Sequence, residues 1–301
     1  MDRRAGEPAE AAHALHELGA VVAPGEQLPR LPAAPRRLAS ARRSLTGLRF
    51  SALLRPVGPL PLIVVIALCL PAALSVVVSL SLNVAHSQAA ASPKLAQGAL
   101  HSSTNWAGYV LSHGRFTRVS ASWVEPAIKP GTQPTEVAAL WVGLDGRGTN
   151  NLEQIGTLSG MLGGSPAYEV WYEIVPQAPV YLTMAIKPGD SITASVTTNG
   201  AGDFTLFIRN NTTHVAFSTN QRSPGAELVT AEVVAEAPAT ISGPTPLPDF
   251  GTITFTDARV NGRPIGTYHW DRLSMASDTP QALTSALARN AGSFSVTWKH
   301  E

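Results

Sequence analysis

"EVAALWVGLD" (Glu136–Asp145) and, after a short polar break, "LEQIGTL" (Leu152–Leu158) decide how this chain folds. Both runs are short and apolar, and Gly, Asn and Asp punctuate the chain between them, as expected of strands and not of core helices. The same texture extends in both directions from Thr104. Upstream lie "NWAGYVL" and "FTRVSASWVEP"; downstream come "AYEVWYEIV", "VYLTMAI", "SITASVTT", "DFTLFIRN", "THVAFST", "AELVTAEVVAEA", "GTITFTDARV" and "GSFSVTW". Many short strands at close spacing predict an all-β sandwich or barrel. A hairpin is predicted around Asn210–Asn211 and a turn at Pro188-Gly189. Only "TPQALTSALARNAG" (Thr279–Gly292) has the composition of a helix. One residue stands out: Gln154, an uncharged polar side chain between Glu153 and Ile155 in an otherwise apolar run.

The 301-residue chain carries only 14% charged residues, and part of the reason is a single charge-free run of 25, Leu60–Val84. A run of that length is enough to cross a bilayer. Seven arginines from Arg30 to Arg55 precede it, and the first cation after it is Lys94. By the positive-inside bias this predicts a cytoplasmic N-terminus and an extracytoplasmic remainder. Small residues at "AHSQAAAS" (Ala85–Ser92) leave two readings open, a cleaved signal peptide or a retained signal-anchor helix. Residues 1–57 are rich in Ala, Pro and Arg and predict a disordered segment; 58–86 is the hydrophobic segment, 87–102 a linker, and 103–301 the folded domain. The one cysteine, Cys69, lies in the hydrophobic run, so the domain is expected to hold together by its core and not by disulfides. From His101 onward twelve Lys/Arg face sixteen Asp/Glu, a net charge of −4, which argues against a nucleic-acid partner.

Alternation along strands shows which side chains share a face. Ala139, Trp141, Gly143 and Asp145 point one way; so do Glu169, Trp171 and Glu173, and so do Glu232, Val234 and Glu236. Acids and indoles on three strands form either a solvent-facing sheet or the wall of a cleft. Familiar hydrolase signatures are missing. There is no HExxH or G-x-S-x-G, the histidines are scattered, and neither Asp145 nor Asp278 begins an Asp-Thr/Ser-Gly motif.

Taken in order, "NWAGYV", "WVGLDG", "LEQIGT", "AYEVWYEIVP", "KPGDSITASV", "TAEVVAEAP" and "DFGTITFTDA" resemble the glutamic peptidases (eqolisins), across nearly all of Ser103–Trp298. The resemblance implies an antiparallel β-sandwich of two large sheets, concanavalin A- or lectin-like, with a substrate groove on its concave face. It assigns the catalytic glutamine to Gln154 and the catalytic glutamate to Glu236, and groove roles to Trp106, Trp141, Asp145, Trp171 and Glu173. It further implies a monomer acting on proteins or peptides, without metal or cofactor. Two residues depart from the pattern: Val233 stands where a tryptophan is usual, and Glu153 adds a charge beside the glutamine.

The implied chemistry answers the question Gln154 raises. An ionised Glu236 takes a proton from a water attacking the scissile carbonyl, while Gln154 donates an N–H to the developing oxyanion. A carboxamide suits acid because it stays neutral there. Two other functions use similar residues: a sugar-binding lectin-like domain, and a glycoside hydrolase with two carboxylates such as Glu173 and Glu236.

Overall fold

The structure, a computed structural model, describes residues 96–300 apart from 130, 132, 134, 163, 241, 242 and 277–279. The segments 1–57 and 58–86, including the run Leu60–Val84, lie outside the described residues. Among those described, no helix is long and apolar enough to cross a membrane.

The chain passes through β1 (Gly98–Ser103), β2 (Trp106–Leu111), β3 (Arg118–Val124), β4 (Glu136–Asp145), β5 (Leu152–Leu162), β6 (Ser165–Val175), β7 (Val180–Leu182), β8 (Ser191–Thr198), β9 (Asp203–Asn210) and β10 (Ala216–Arg222). It continues through β11 (Ala231–Glu236), the two-residue strands β12 (Ala239–Thr240) and β13 (Gly243–Pro244), β14 (Thr252–Val260), β15 (Arg263–Pro264), β16 (Trp270–Ala276), β17 (Pro280–Thr284) and β18 (Phe294–Trp298). A single 3-10 turn, Ile265–Thr267, is the only helical element among the described residues.

Hydrogen bonds join these strands into one antiparallel ladder, β10-β9-β8-β3-β14-β18-β17-β16-β2-β11-β4-β5-β6-β7. The ladder folds over at β14. Thr252–Phe255 pair with β18, whereas Thr256, Arg259 and Val260 pair with β3. The register shifts between Thr256 and Arg259, where Asp257 takes φ 47°. A bulge of this kind bends a strand and re-aims the residues beyond it, and here it sets β3, β8 and β9 against β4, β5 and β11.

The main core lies between the two layers. Leu140, Val142 and Leu144 of β4, Ile155 of β5 and Val233 and Ala235 of β11 meet Val119, Ala121 and Trp123 of β3, Ile192 and Val196 of β8, and Phe204, Leu206 and Ile208 of β9. These are the alternate residues of each strand, so the period of two dictates the layer. The other alternate set forms a second apolar cluster on the opposite face: Trp106, Val110, Ala139, Trp141, Leu158, Trp171 and Val234.

Two expectations need correction. Thr279–Gly292 holds no helix; its first part is β17, whose Ala282 is fully buried and pairs with Met275 on one side and Trp298 on the other. Pairing from two neighbours overrides a modest helical preference. The linker expected over 87–102 is in part a strand, because Gly98–Ser103 runs parallel to β16 and pairs with it from Trp270 to Met275.

Candidate active site

The face carrying the second cluster is built from rows that cross β6, β5, β4 and β11. In the first row Glu173 pairs with Gln154, Gln154 with Gly143, and Gly143 with Glu232. In the next, Trp171, Gly156, Trp141 and Val234 stand abreast. The third holds Glu169, Leu158, Ala139 and Glu236, with Trp106 of β2 beyond. Gly156 separates the two indoles because nothing larger fits: a Cβ there would lie 2.1 Å from the Leu140 carbonyl oxygen.

Glu236 is completely buried and held at both oxygens. Asn105 Nδ2 donates to Oε1 at 3.1 Å and Trp141 Nε1 to Oε2 at 2.8 Å. Trp106 packs edge-on against Trp141, ring centroids 5.2 Å apart, and its N–H lies by the carboxylate without closing a hydrogen bond. Burial pushes the Glu236 carboxyl up to about 8, against the opposing pull of the nearby Trp106 N–H and of the donors Trp141 and Asn105.

Gln154 Nε2 donates to Glu173 Oε2 at 2.7 Å. Burial also pushes Glu173 up to about 8; the Gln154 N–H works against this, and the charge of Glu236 adds to it. Glu173, Gln154 and Glu236 lie on the same face, and Gln154 and Glu236 pair with different residues of β4, Gly143 and Ala139. Gln154 Oε1, Glu173 Oε1, Trp106 Nε1 and Trp171 Nε1 are buried without a protein partner. Unpaired buried polar atoms are rare in a settled core. With Glu232 Oε1 and Oε2 of the first row, also unpartnered, these atoms mark a surface made for a polar ligand or for ordered water.

Of the sequence-predicted residues, Gln154, Glu236, Trp106, Trp141, Trp171 and Glu173 come together on this face. Asp145 does not. It ends β4 with φ 62°, and its buried carboxylate accepts from the backbone N–H groups of Glu227, Leu228 and Val229 at 2.8–2.9 Å. Both departures from the family pattern also fall elsewhere. Val233 packs in the inter-layer core, and Glu153 belongs to a buried acidic group with Asp145 and Glu232. Burial pushes Glu153 up to about 8, and it drives Glu232, opposite Gln154 across Gly143, well above the usual carboxylate range.

Sequence reasoning missed Asn105, Glu169, Tyr181 and Arg147. Asn105 adjoins the indole in "NWAGYV", which was the available signal. Glu169 shared the face of Trp171 and Glu173 but received no role; burial pushes it up to about 7. Tyr181 pairs with Trp171, and burial, reinforced by Glu173 and Glu169, pushes its phenol up to about 12. Among the described residues no group of three His, Cys, Asp or Glu is placed to hold a metal ion.

Comparison with known proteins bears on the family and the fold. Aspergillopepsin-2 from Aspergillus niger is 29% identical over 181 residues, covering 52% of this chain and 64% of that protein, just under two thirds of its length. A crystal structure of scytalido-glutamic peptidase with a transition state analog inhibitor shares the fold, with TM-score 0.57 and 23% identity over 65% of this chain and 98% of that one. SCP-B, a member of the eqolisin family in complex with the tripeptide Ala-Ile-His, shares it over the same proportions with TM-score 0.50 and 23% identity. The model of the Peptidase A4 family matches residues 104–298, which takes in every strand of the floor, and so the chain belongs to the Peptidase A4 family.

Proposed function

We propose that the protein is an acid-acting endopeptidase that hydrolyses peptide bonds with Gln154 and Glu236. One observation carries the reading: a carboxamide with an unpartnered oxygen shares an indole-walled floor with a buried carboxyl that already accepts two hydrogen bonds. Neither sugar binding nor two-carboxylate glycoside hydrolysis needs that glutamine.

The steps follow from the donors and acceptors present. A peptide lies across β11, β4, β5 and β6 with its scissile carbonyl between Gln154 and Glu236. Burial keeps Glu236 protonated in most molecules at acid pH, so the reaction runs through the minor ionised form, which takes a proton from a water as that water's oxygen bonds to the carbonyl carbon. Gln154 has two N–H groups; one is spent on Glu173, and the other meets the developing oxyanion while Oε1 holds the water. The C–N bond then breaks as Glu236 returns its proton to the leaving amine. Trp141 and Asn105 stabilise the carboxylate form that starts the cycle and keep its two oxygens in place. The concanavalin A-like layering supplies a rigid floor for this, and a monomer suffices, since every residue named is on one chain. With Leu60–Val84 as signal or anchor, the domain works outside the cytoplasm, where acid conditions and foreign proteins are met.

The test is cleavage of casein, beside a polysaccharide panel, by the full chain at acid pH. Casein is expected to be cut and the polysaccharides left intact. Gln154→Ala is expected to lose roughly 10²–10³ in rate, and Glu236→Gln essentially all activity with the fold retained. Full activity in folded Glu236→Gln, or sugar hydrolysis without proteolysis, would refute the reading.

A further inference from the structure

At the β1 end of the floor a recess of about 250 Å³ opens between the loop after β4 and the start of β2. Trp106 and Leu273 give it apolar walls, and Ser102, Thr104 and Asn105 line its polar side. Arg147 and Gly148 overhang it. Asn105 joins the recess directly to the reaction centre, since the amide that lines it also donates to Glu236 Oε1. A side chain seated here therefore belongs to a substrate residue close to the scissile bond.

One guanidinium lines the recess. Arg147 Nη1 donates to Asp271 Oδ2 at 2.7 Å, which fixes the guanidinium, while the side chain stays 39% exposed. A guanidinium has five N–H groups, so most remain for a ligand. Asp271 is already shared: His101 Nε2 reaches its other oxygen at 3.2 Å. The floor itself carries carboxyls that burial pushes up, Glu169, Glu173, Glu232 and Glu236.

We propose that this recess is a side-chain pocket of the groove that selects an acidic or carboxamide residue of the peptide substrate and disfavours Lys and Arg, with Arg147 as its specificity-determining residue. This rests on the peptidase reading above. The Arg147 fork and the Asn105 amide accommodate a carboxyl or carboxamide head, Trp106 and Leu273 pack its methylenes, and a cationic head meets Arg147 at close range.

The test is a peptide library cleaved at acid pH, with each position around the cut bond profiled by mass spectrometry for wild type, Arg147→Glu and Arg147→Gln. Wild type is expected to favour Asp, Glu, Asn and Gln over Lys and Arg at one position. Arg147→Glu is expected to invert that preference at the same position, roughly fivefold each way as befits half-exposed charges. Arg147→Gln is expected to flatten it, and this holds the proposal to account if the charge reversal fails to fold. An unchanged profile in a folded variant, a change spread over all positions, or loss of the fold in both variants would overturn the pocket assignment. A wild type that cleaves no peptide would instead overturn the peptidase reading and the pocket with it.

Discussion

Three backbone N–H groups, from Glu227, Leu228 and Val229, converge on the Asp145 carboxylate. Replacing it with Ala strands those donors, of which Leu228 is buried, and is expected to cost about 2–4 kcal/mol of stability, read from the urea midpoint. Because Asp145 stands apart from the floor, specific activity of the folded fraction should survive. At Glu236 the same chemical group answers to different neighbours. Trp141 Nε1 donates to it and favours the ionised form, so Trp141→Phe should raise its pKa and move the acid limb of kcat/KM to higher pH. A limb that stays put or moves down would show that the indole N–H does not tune the base. These two acids also mark how far the sequence could be read. Alternation placed Trp141, Trp171 with Glu173, and Glu236 on particular sides of their own strands, the family resemblance joined them in one groove, and strand pairing sets those sides on one face. Alternation failed at Asp145 because the period of two holds only for extended backbone, and φ 62° turns that side chain away.

Among the elements, β4, β5, β6 and β11 were legible because each contributes alternate residues to a core and so shows a strong pattern. β16, "WDRLSMA", was not, since Asp271 and Arg272 interrupt its alternation and its place comes from pairing with β1, β2 and β17. β1 was read as linker for a related reason: Leu100 is 64% exposed, so the strand has no buried side to betray it. The turn at Pro188-Gly189 and the hairpin after Asn210 are both present, where Asn210 Oδ1 accepts from the N–H groups of Thr212 and Thr213. β5 is the element that tolerates least. At Gly156 an added Cβ meets the Leu140 carbonyl oxygen and the Trp141 Cβ, both part of the paired strand, so neither can yield cheaply. Gly156→Ala is expected to cost about 3 kcal/mol or more, seen as a lowered Tm or insoluble protein. A normal Tm would mean that β4 and β5 separate more readily than their pairing implies.

For the whole molecule the governing fact is the number of carboxyls folded out of reach of water. Burial pushes Glu125 and Glu169 up to about 7, Glu153, Glu173 and Glu236 up to about 8, and Glu232 higher than usual as well. Each binds its proton more tightly in the folded chain than in the unfolded one, where the ordinary value is 4.5. As pH rises past 4.5 the unfolded chain releases these protons first, which favours unfolding, and the loss continues until the folded groups ionise near 7–8. Stability should therefore be full below about pH 4.5 and fall through neutrality. Urea midpoints across pH 3–9 check this, and Glu125→Gln, which removes one of the six, should make the fall shallower. A midpoint that rises toward neutrality would contradict the linkage.

The bulge in β14 has a further consequence, for how the protein meets its own copies. Two separate sheets stacked face to face would expose four open edges, each a row of backbone groups ready to recruit another chain. Creasing one ladder at Asp257 leaves β10 and β7 as its ends among the described residues, with the short strands β1 and β15 set beside β16 and β14. β7 is three residues long, too little to template a partner strand, and β10 ends in Asn220, Gln221 and Arg222, polar side chains that a docking strand would have to desolvate. The crease thus limits strand-to-strand joining through shape, and it needs no ionised group to do so.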